Sequence, residues 1–189
     1  MTTGLPARQA LKSLIEDQQH NRIMRLSFPR NDGPEALFVA NELDAYEALS
    51  CDFHFRVQVL SDNAYIALKD VQGKMVTIEL VREDGSLRYF NGYVFEFRLL
   101  KTDGASVFYD MVLLPWMAYL RLRHDNCTFL RATLHEQTGE IFSSYGIADW
   151  QTRTTGADEP MTYACQFDET DYNYLHRRWE AHGIHYWYC

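Results

Sequence analysis

Between Phe53 and Leu113 the chain alternates apolar and polar residues with a period of two, and that alternation restricts the fold more than any other feature. Phe53, Phe55, Val57 and Val59 are separated by His54, Arg56 and Gln58, as in a strand with one buried face. Val76, Ile78 and Leu80 alternate with Thr77 and Glu79, and Tyr93, Phe95, Phe97 and Leu99 with Val94, Glu96 and Arg98. Val107, Tyr109, Met111 and Leu113 form a further run. Glu83-Asp84-Gly85-Ser86 and Thr102-Asp103-Gly104-Ala105 each place an Asp-Gly between runs, where a turn needs positive φ. These runs predict a meander of antiparallel strands. An aromatic content of 14% agrees, because broad rings suit a pleated surface.

The chain has 189 residues, enough for one domain with a sizeable core or two small ones, and 47% hydrophobic residues exclude a disordered chain. A formal charge of -8 repels phosphate backbones, which argues against nucleic-acid binding. No basic region followed by an apolar stretch opens the sequence, and no segment has the length of a membrane span, so synthesis in the cytoplasm without membrane insertion is expected. Cys51, Cys127, Cys165 and Cys189 lack paired C-x-x-C spacing and read as reduced, mostly buried thiols.

Outside the alternating region the period changes. Ala7 to Gln19, with Leu11, Leu14 and Ile15, fits a short amphipathic helix or a loosely attached leader. Pro115 ends the strand pattern and suits the first turn of a helix carrying Trp116, Tyr119 and Leu120. Thr133-Leu134-His135-Glu136 is a capping box, followed by an apolar face of Leu134, Ile141, Phe142 and Tyr145, with Gly146 as a left-handed stop. Gln151 to Pro160 reads as a loop. In the closing stretch, Thr170 or Asp168 caps a helix from about Asp171 to His182, Gly183 stops it, and Ile184 to Tyr188 reads as a strand.

The closing stretch is also where chemistry would lie. A metal would recruit His182, His185 and Cys189, with His176 as a fourth ligand, but no partner cysteine pair completes a tetrahedral set. Asp168, Glu169 and Asp171, joined by His182, could serve a hydrolase, although acids at a helix N-terminus are expected for the dipole alone. No nucleophile-elbow, zinc-protease or phosphate-loop motif is present, so no catalytic, cofactor or metal residue is assigned. The residues alone point to a non-catalytic, structural or interaction role by elimination.

Four stretches carry a resemblance. Glu47-Ala48-Leu49-Ser50 runs into Phe53-His54-Phe55-Arg56. Gly73-Lys74 precedes a strand and is followed by Arg88-Tyr89-Phe90-Asn91-Gly92-Tyr93-Val94. Leu114-Pro115-Trp116 leads to Leu120-Arg121-Leu122-Arg123. Gln166 to Asp171 and Glu180 to Trp187 close the series. In this order they resemble the N-terminal part of the VgrG proteins, spike-tip subunits of bacterial type VI secretion systems related to the baseplate hub of contractile phage tails. Asp168 stands where that family usually has Arg, and His182 where it often has Glu or Asp.

The resemblance implies a mainly β fold with an α+β portion: an antiparallel, barrel-like tube domain followed by an incomplete α/β hub domain. The expected division is a helical leader over 1–24, a tube-like barrel over 25–128, and the start of a second hub domain over 129–189. Glu47 to Val59 and Met75 to Leu114 would be barrel walls, the closing aromatics core, and the histidines near its rim. Because the family continues beyond the point matching Cys189, the resemblance implies a truncated form. It further implies a homotrimer that caps a hexameric secretion tube, contacts baseplate components and effectors, and leaves the cell through the apparatus without a signal peptide. A phage or prophage tail hub is the alternative, and a hydrolase or metal-binding module on Asp168 to Cys189 another. An exposed sheet edge or apolar patch is expected for the hub reading.

Overall fold

The computed structural model describes residues 22–103 and 106–189. The helix expected over Ala7 to Gln19 and the tip of the turn at Gly104-Ala105 lie outside them. The described chain forms two compact units. One takes the described residues up to Tyr46 together with Phe53–Pro115; the other takes Glu47–Asp52 and Trp116–Cys189.

The first unit is a six-stranded antiparallel sheet. Its strands are β1 (Met24–Ser27), β2 (Val39–Tyr46), β3 (His54–Ser61), β4 (Met75–Val81), β5 (Leu87–Asp103) and β6 (Ser106–Leu114), in the spatial order β1-β4-β5-β6-β3-β2. The expected alternation holds in β3, where Phe55, Val57 and Val59 are buried and His54 and Arg56 exposed. β6 lies centrally and is buried on both faces from Tyr109 to Leu113. The sheet curls so that β1 and β2, at opposite ends of the strand order, approach each other without forming a ladder, which makes a half-barrel.

Rings fill its concave side. Phe53 stacks on Phe55 at 4.3 Å, Phe55 meets Phe90 edge-on at 5.2 Å, and Phe97 stacks on Tyr109 at 4.6 Å. Gly92 is required by this packing, because a Cβ there would lie 2.9 Å from Leu113 Cβ and 3.1 Å from the Phe53 ring. Gly85, in the β4–β5 turn, has φ of 79°, as the Asp-Gly reading expects.

The second unit begins with a 3-10 helix over Trp116–Arg121, tighter than the α-helix expected after Pro115. Strand β7 (His124–Ala132) then leads to helix α1 (Leu134–Ser143), a loop, strand β8 (Met161–Thr170) and helix α2 (Asp171–Ala181). β7 and β8 pair as an antiparallel ribbon. The units divide between Pro115 and Trp116, ahead of the expected 128/129 boundary, because β7 pairs with β8 and not with the larger sheet. Glu47 to Asp52, expected in the barrel wall, belongs to the second unit.

Both helix starts follow their sequence signals. Thr133 Oγ1 accepts from Glu136 N, and Glu136 Oε2 accepts from Thr133 N at 2.8 Å. Asp158 adds a second cap by accepting from Leu134 N and His135 N, and these bonds outweigh burial to hold its carboxyl below the usual range. Thr170, not Asp168, caps α2. α2 ends in a Schellman motif, with Gly183 at φ 67° donating to Glu180 O and Ile184 N donating to Trp179 O. Gly146 is not a left-handed stop; α1 ends before it, with Ser144 right-handed. Ile184 to Tyr188 is not a ladder strand among the described residues; a backbone bond from Ser50 N to Tyr186 O holds it instead. The cysteines are not mostly buried: Cys51 and Cys189 are exposed, Cys127 and Cys165 half-buried, and all four are free.

Candidate functional site

The acidic residues at the start of α2 have separate structural partners. Asp171 is buried, accepting from Tyr145 Oη at 2.6 Å and Gln166 Nε2 at 2.8 Å, with Arg123 Nη1 3.6 Å away. Burial, with the Asp171 bond next, pushes the Tyr145 hydroxyl above its ordinary range, so it stays a neutral donor. Glu169 is engaged by Arg177 Nε at 2.9 Å. Asp168 is exposed, at φ 45°, with His124 3.9 Å away. His182 Nδ1 lies 2.8 Å from Arg178 O and closes the helix end. Asp168, Glu169, Asp171 and His182 therefore do not converge on a shared reaction centre.

The histidines and Cys189 do not converge either. His176 stacks on Tyr172 at 3.7 Å and lies 3.2 Å from Tyr186 Oη, while His185 tilts against Trp187 at 6.5 Å. Among the described residues no three His, Cys, Asp or Glu side chains form a group that could hold a metal ion.

These rings instead build a clamp inside the second unit. The Arg121 guanidinium lies 3.3 Å from the Tyr172 ring centroid, which continues the Tyr172–His176 stack. Arg121 Nη2 also donates to Asp52 Oδ2 at 2.8 Å, and Tyr188 Oη donates to Asp52 Oδ1 at 2.8 Å. Tyr186 joins Trp179 at 5.7 Å and Tyr188 at 5.7 Å. Burial lowers the His176 imidazole to about 4, so the ring is neutral near pH 7. Tyr172, Tyr174 and Trp179 are core as expected, whereas Phe167 and Trp187 are exposed.

In the first unit, the convex face of the sheet carries a buried carboxylate. Asp110 accepts from Arg56 Nε at 2.9 Å and from Arg98 Nε and Nη2 at 2.9 and 2.6 Å. Burial alone would raise its pKa, but the two guanidinium groups hold it below the usual carboxylate range. Asp44 pairs with Arg56 across the β2–β3 ladder, and Lys101 lies over Phe108 at 4.6 Å. The alternation identified these strands, but nothing in a single strand shows that Asp44, Arg56, Asp110 and Arg98 line up.

Among the described residues, ladder pairing ends on either side of this row. β2 is last in the ladder order, with β1 near it but unpaired to it, and residues 41–46 are exposed apart from half-buried Leu43. β5 is covered by β4 only up to Tyr93, so among the described residues no strand flanks Glu96 to Asp103 opposite β6. The second unit adds an outward apolar line on the ribbon: Tyr163, Phe167 and Leu130 are exposed, with Leu130 directly across from Tyr163. Among the described residues no helix is long and apolar enough to cross a membrane.

Residues 46–188 match the family described as the phage tail baseplate hub (GPD). The type VI secretion system spike protein VgrG1c of Pseudomonas aeruginosa is 28% identical over 172 residues, covering 90% of this chain and 23% of that protein. VgrG1a of the same organism is 26% identical over 170 residues, covering 90% of this chain and 26% of that protein. The chain thus spans about a quarter of the length of these relatives. Among solved structures, the E. coli c3393 protein, a component of the type VI secretion system, superposes with a TM-score of 0.71 at 19% identity, covering 82% of this chain and 42% of that one. A 43 kDa tail protein of prophage MuSo2 from Shewanella oneidensis gives 0.50 at 16% identity, covering 78% and 48%. With a curled antiparallel sheet and a family match running from Tyr46 to Tyr188, this chain belongs to the phage tail baseplate hub family.

Proposed function

We propose that the chain is a non-catalytic structural part of the hub of a type VI secretion spike. It associates with copies of itself as a homotrimer, seats on the end of a hexameric secretion tube, and carries the spike and its effectors outward through the apparatus. The half-barrel would form the tube-like part, and the second unit would open the next hub domain. The observation that carries this reading is the curled six-stranded sheet in which, among the described residues, β2 and the end of β5 each lack a ladder partner on one side. Such edges suit the wall of a larger ring, where each is covered by a neighbour. The relatives named as spike proteins support the secretion context.

The test is capture. Rings of the tube protein from the same organism, immobilised on a sensor, should retain this chain in a saturable, concentration-dependent way. Failure of a folded preparation to bind those rings would overturn the reading. A tail hub of a phage or prophage is the second reading, favoured by the family description and by the prophage tail fold. Genes beside the coding sequence separate the two, since secretion-apparatus and capsid genes do not share a cluster.

A further inference from the structure

A thioether at the start of β8 is surrounded by hydrogen-bond donors. Met161 pairs with Ala132 in the β7–β8 ladder, and Gln137, fully buried on α1, donates to Ala132 O at 3.0 Å with the same Nε2 that lies 3.7 Å from Met161 Sδ. The Gln137 side-chain oxygen is already taken, because it accepts from Tyr174 Oη at 2.6 Å. From α2, Arg178 Nη2 contacts the same sulfur, and Arg178 Nε is buried with no hydrogen-bond partner among the described residues. The neighbouring Arg177, by contrast, holds Glu169. A guanidinium carries five N–H donors, and a thioether is a weak acceptor. The cluster is therefore cationic and short of acceptors, a costly state for donors held away from water.

One added oxygen would supply the missing acceptor. Oxidation of a methionine to its sulfoxide ordinarily disrupts a core, since it places a polar atom among apolar neighbours. Here the new atom would be a strong acceptor on the sulfur that Arg178 and Gln137 already face. Because these donors bind a sulfoxide better than a thioether, and meet it only in the folded chain, oxidation should add stability where it usually removes it. Peroxide can reach the site: Met161 is half-buried and follows the exposed run 151–160, whereas Met111 and Met117 are buried.

We propose that Met161 is a modification site for peroxides, whose sulfoxide is held by Arg178 and Gln137 and fastens the start of β8 to α1 and α2. In the step, a sulfur lone pair attacks one oxygen of hydrogen peroxide, the S–O bond forms as the O–O bond breaks, and the departing hydroxide takes the proton from the transferred oxygen. Sulfur loses two electrons, the peroxide gains them, and the products are sulfoxide and water. The inference is independent of the hub reading, since it concerns only contacts within the second unit.

The experiment uses the full chain carrying Met24→Leu and Met75→Leu, which removes the other half-buried methionines among the described residues. Hydrogen peroxide is added to the folded protein, the Met161 sulfoxide is quantified by peptide mass spectrometry, and urea midpoints are compared before and after. Oxidation should raise the folded-to-unfolded ratio by about tenfold, the effect of one charge-assisted hydrogen bond, and treatment with methionine sulfoxide reductase should reverse the gain. In an Arg178→Leu chain the same oxidation should lower the ratio. Met161→Gln, which offers an amide oxygen close to where the sulfoxide oxygen would lie, should be more stable than Met161→Leu while Arg178 is present, and this comparison stands even if the Arg178→Leu chain fails to fold. A Met161 that stays a thioether in the folded protein, a lower ratio on oxidation, a gain indifferent to Arg178→Leu, or Met161→Leu more stable than Met161→Gln overturns the proposal.

Discussion

Gly92 has a sharply defined reason to be glycine. Any Cβ would sit 2.9 Å from Leu113 Cβ at a buried contact between β5 and β6, and neither backbone can yield without shifting a ladder. We expect Gly92→Ala to lower stability by about 1–3 kcal/mol, the usual cost of overpacking, seen as a shifted denaturant midpoint with unchanged slope. His176 makes a second prediction at this scale. Its folded pKa is depressed to about 4 from 6.5, chiefly by burial, so the unfolded chain binds the proton more readily. Stability should therefore fall as pH drops from about 6.5 to about 4, and His176→Gln should flatten the dependence across that window. Titrating the denaturation midpoint of both proteins checks it; parallel profiles would refute the assignment. Asp110 acts lower: its folded pKa is depressed, so its contribution is complete above the unfolded value and lost as pH falls through the folded one.

Among the elements, those with strong local signals were legible in the sequence. The Thr133 box caps α1, Thr170 caps α2, and Gly183 ends it in a left-handed turn. Thr133→Ala should cost about 1 kcal/mol, less than if the cap stood alone, because Asp158 still accepts from Leu134 N and His135 N. Adding Asp158→Ala should then cost more than it does alone, a non-additivity that a double-mutant cycle measures. The β7–β8 ribbon was not legible. β7 buries only Phe129, and on β8 the buried face offers Ala164 and Gln166, one small and one polar, while Tyr163 and Phe167 face outward, so the apolar pattern of β8 is inverted. Gln166 is held inside by bonds to Glu169 O and Asp171 Oδ1 that span the strand–helix junction. Ile184 to Tyr188 misled in the opposite sense, since aromatic content suggested a strand where packing against Trp179 and a bond from Ser50 fix the chain.

At the scale of the whole molecule, the alternation alone implied an antiparallel β-rich chain, and the four resembling stretches implied the curled tube-like sheet and the hub family. What could not be read was long-range registration: which acid meets which base, and which short segment joins which unit. Protection should follow the same division. The central strands β3 and β6, paired on both sides, should exchange amide hydrogens most slowly, and the ribbon, whose strands each have one ladder partner among the described residues, faster. Hydrogen–deuterium exchange resolved by peptide tests this; equal protection of β7 and β6 would contradict it.

Glu47 to Asp52 has a further consequence, for the order in which the two units can fold during synthesis. This segment emerges between β2 and β3, yet Asp52 receives its bond from Tyr188 and Ser50 binds Tyr186, both at a separation of 136 residues. The first unit can close its sheet once Pro115 has emerged, but the segment between two of its strands then waits for Tyr186 and Tyr188 to be translated. The second unit therefore becomes complete only after the first, once Tyr186 and Tyr188 have emerged.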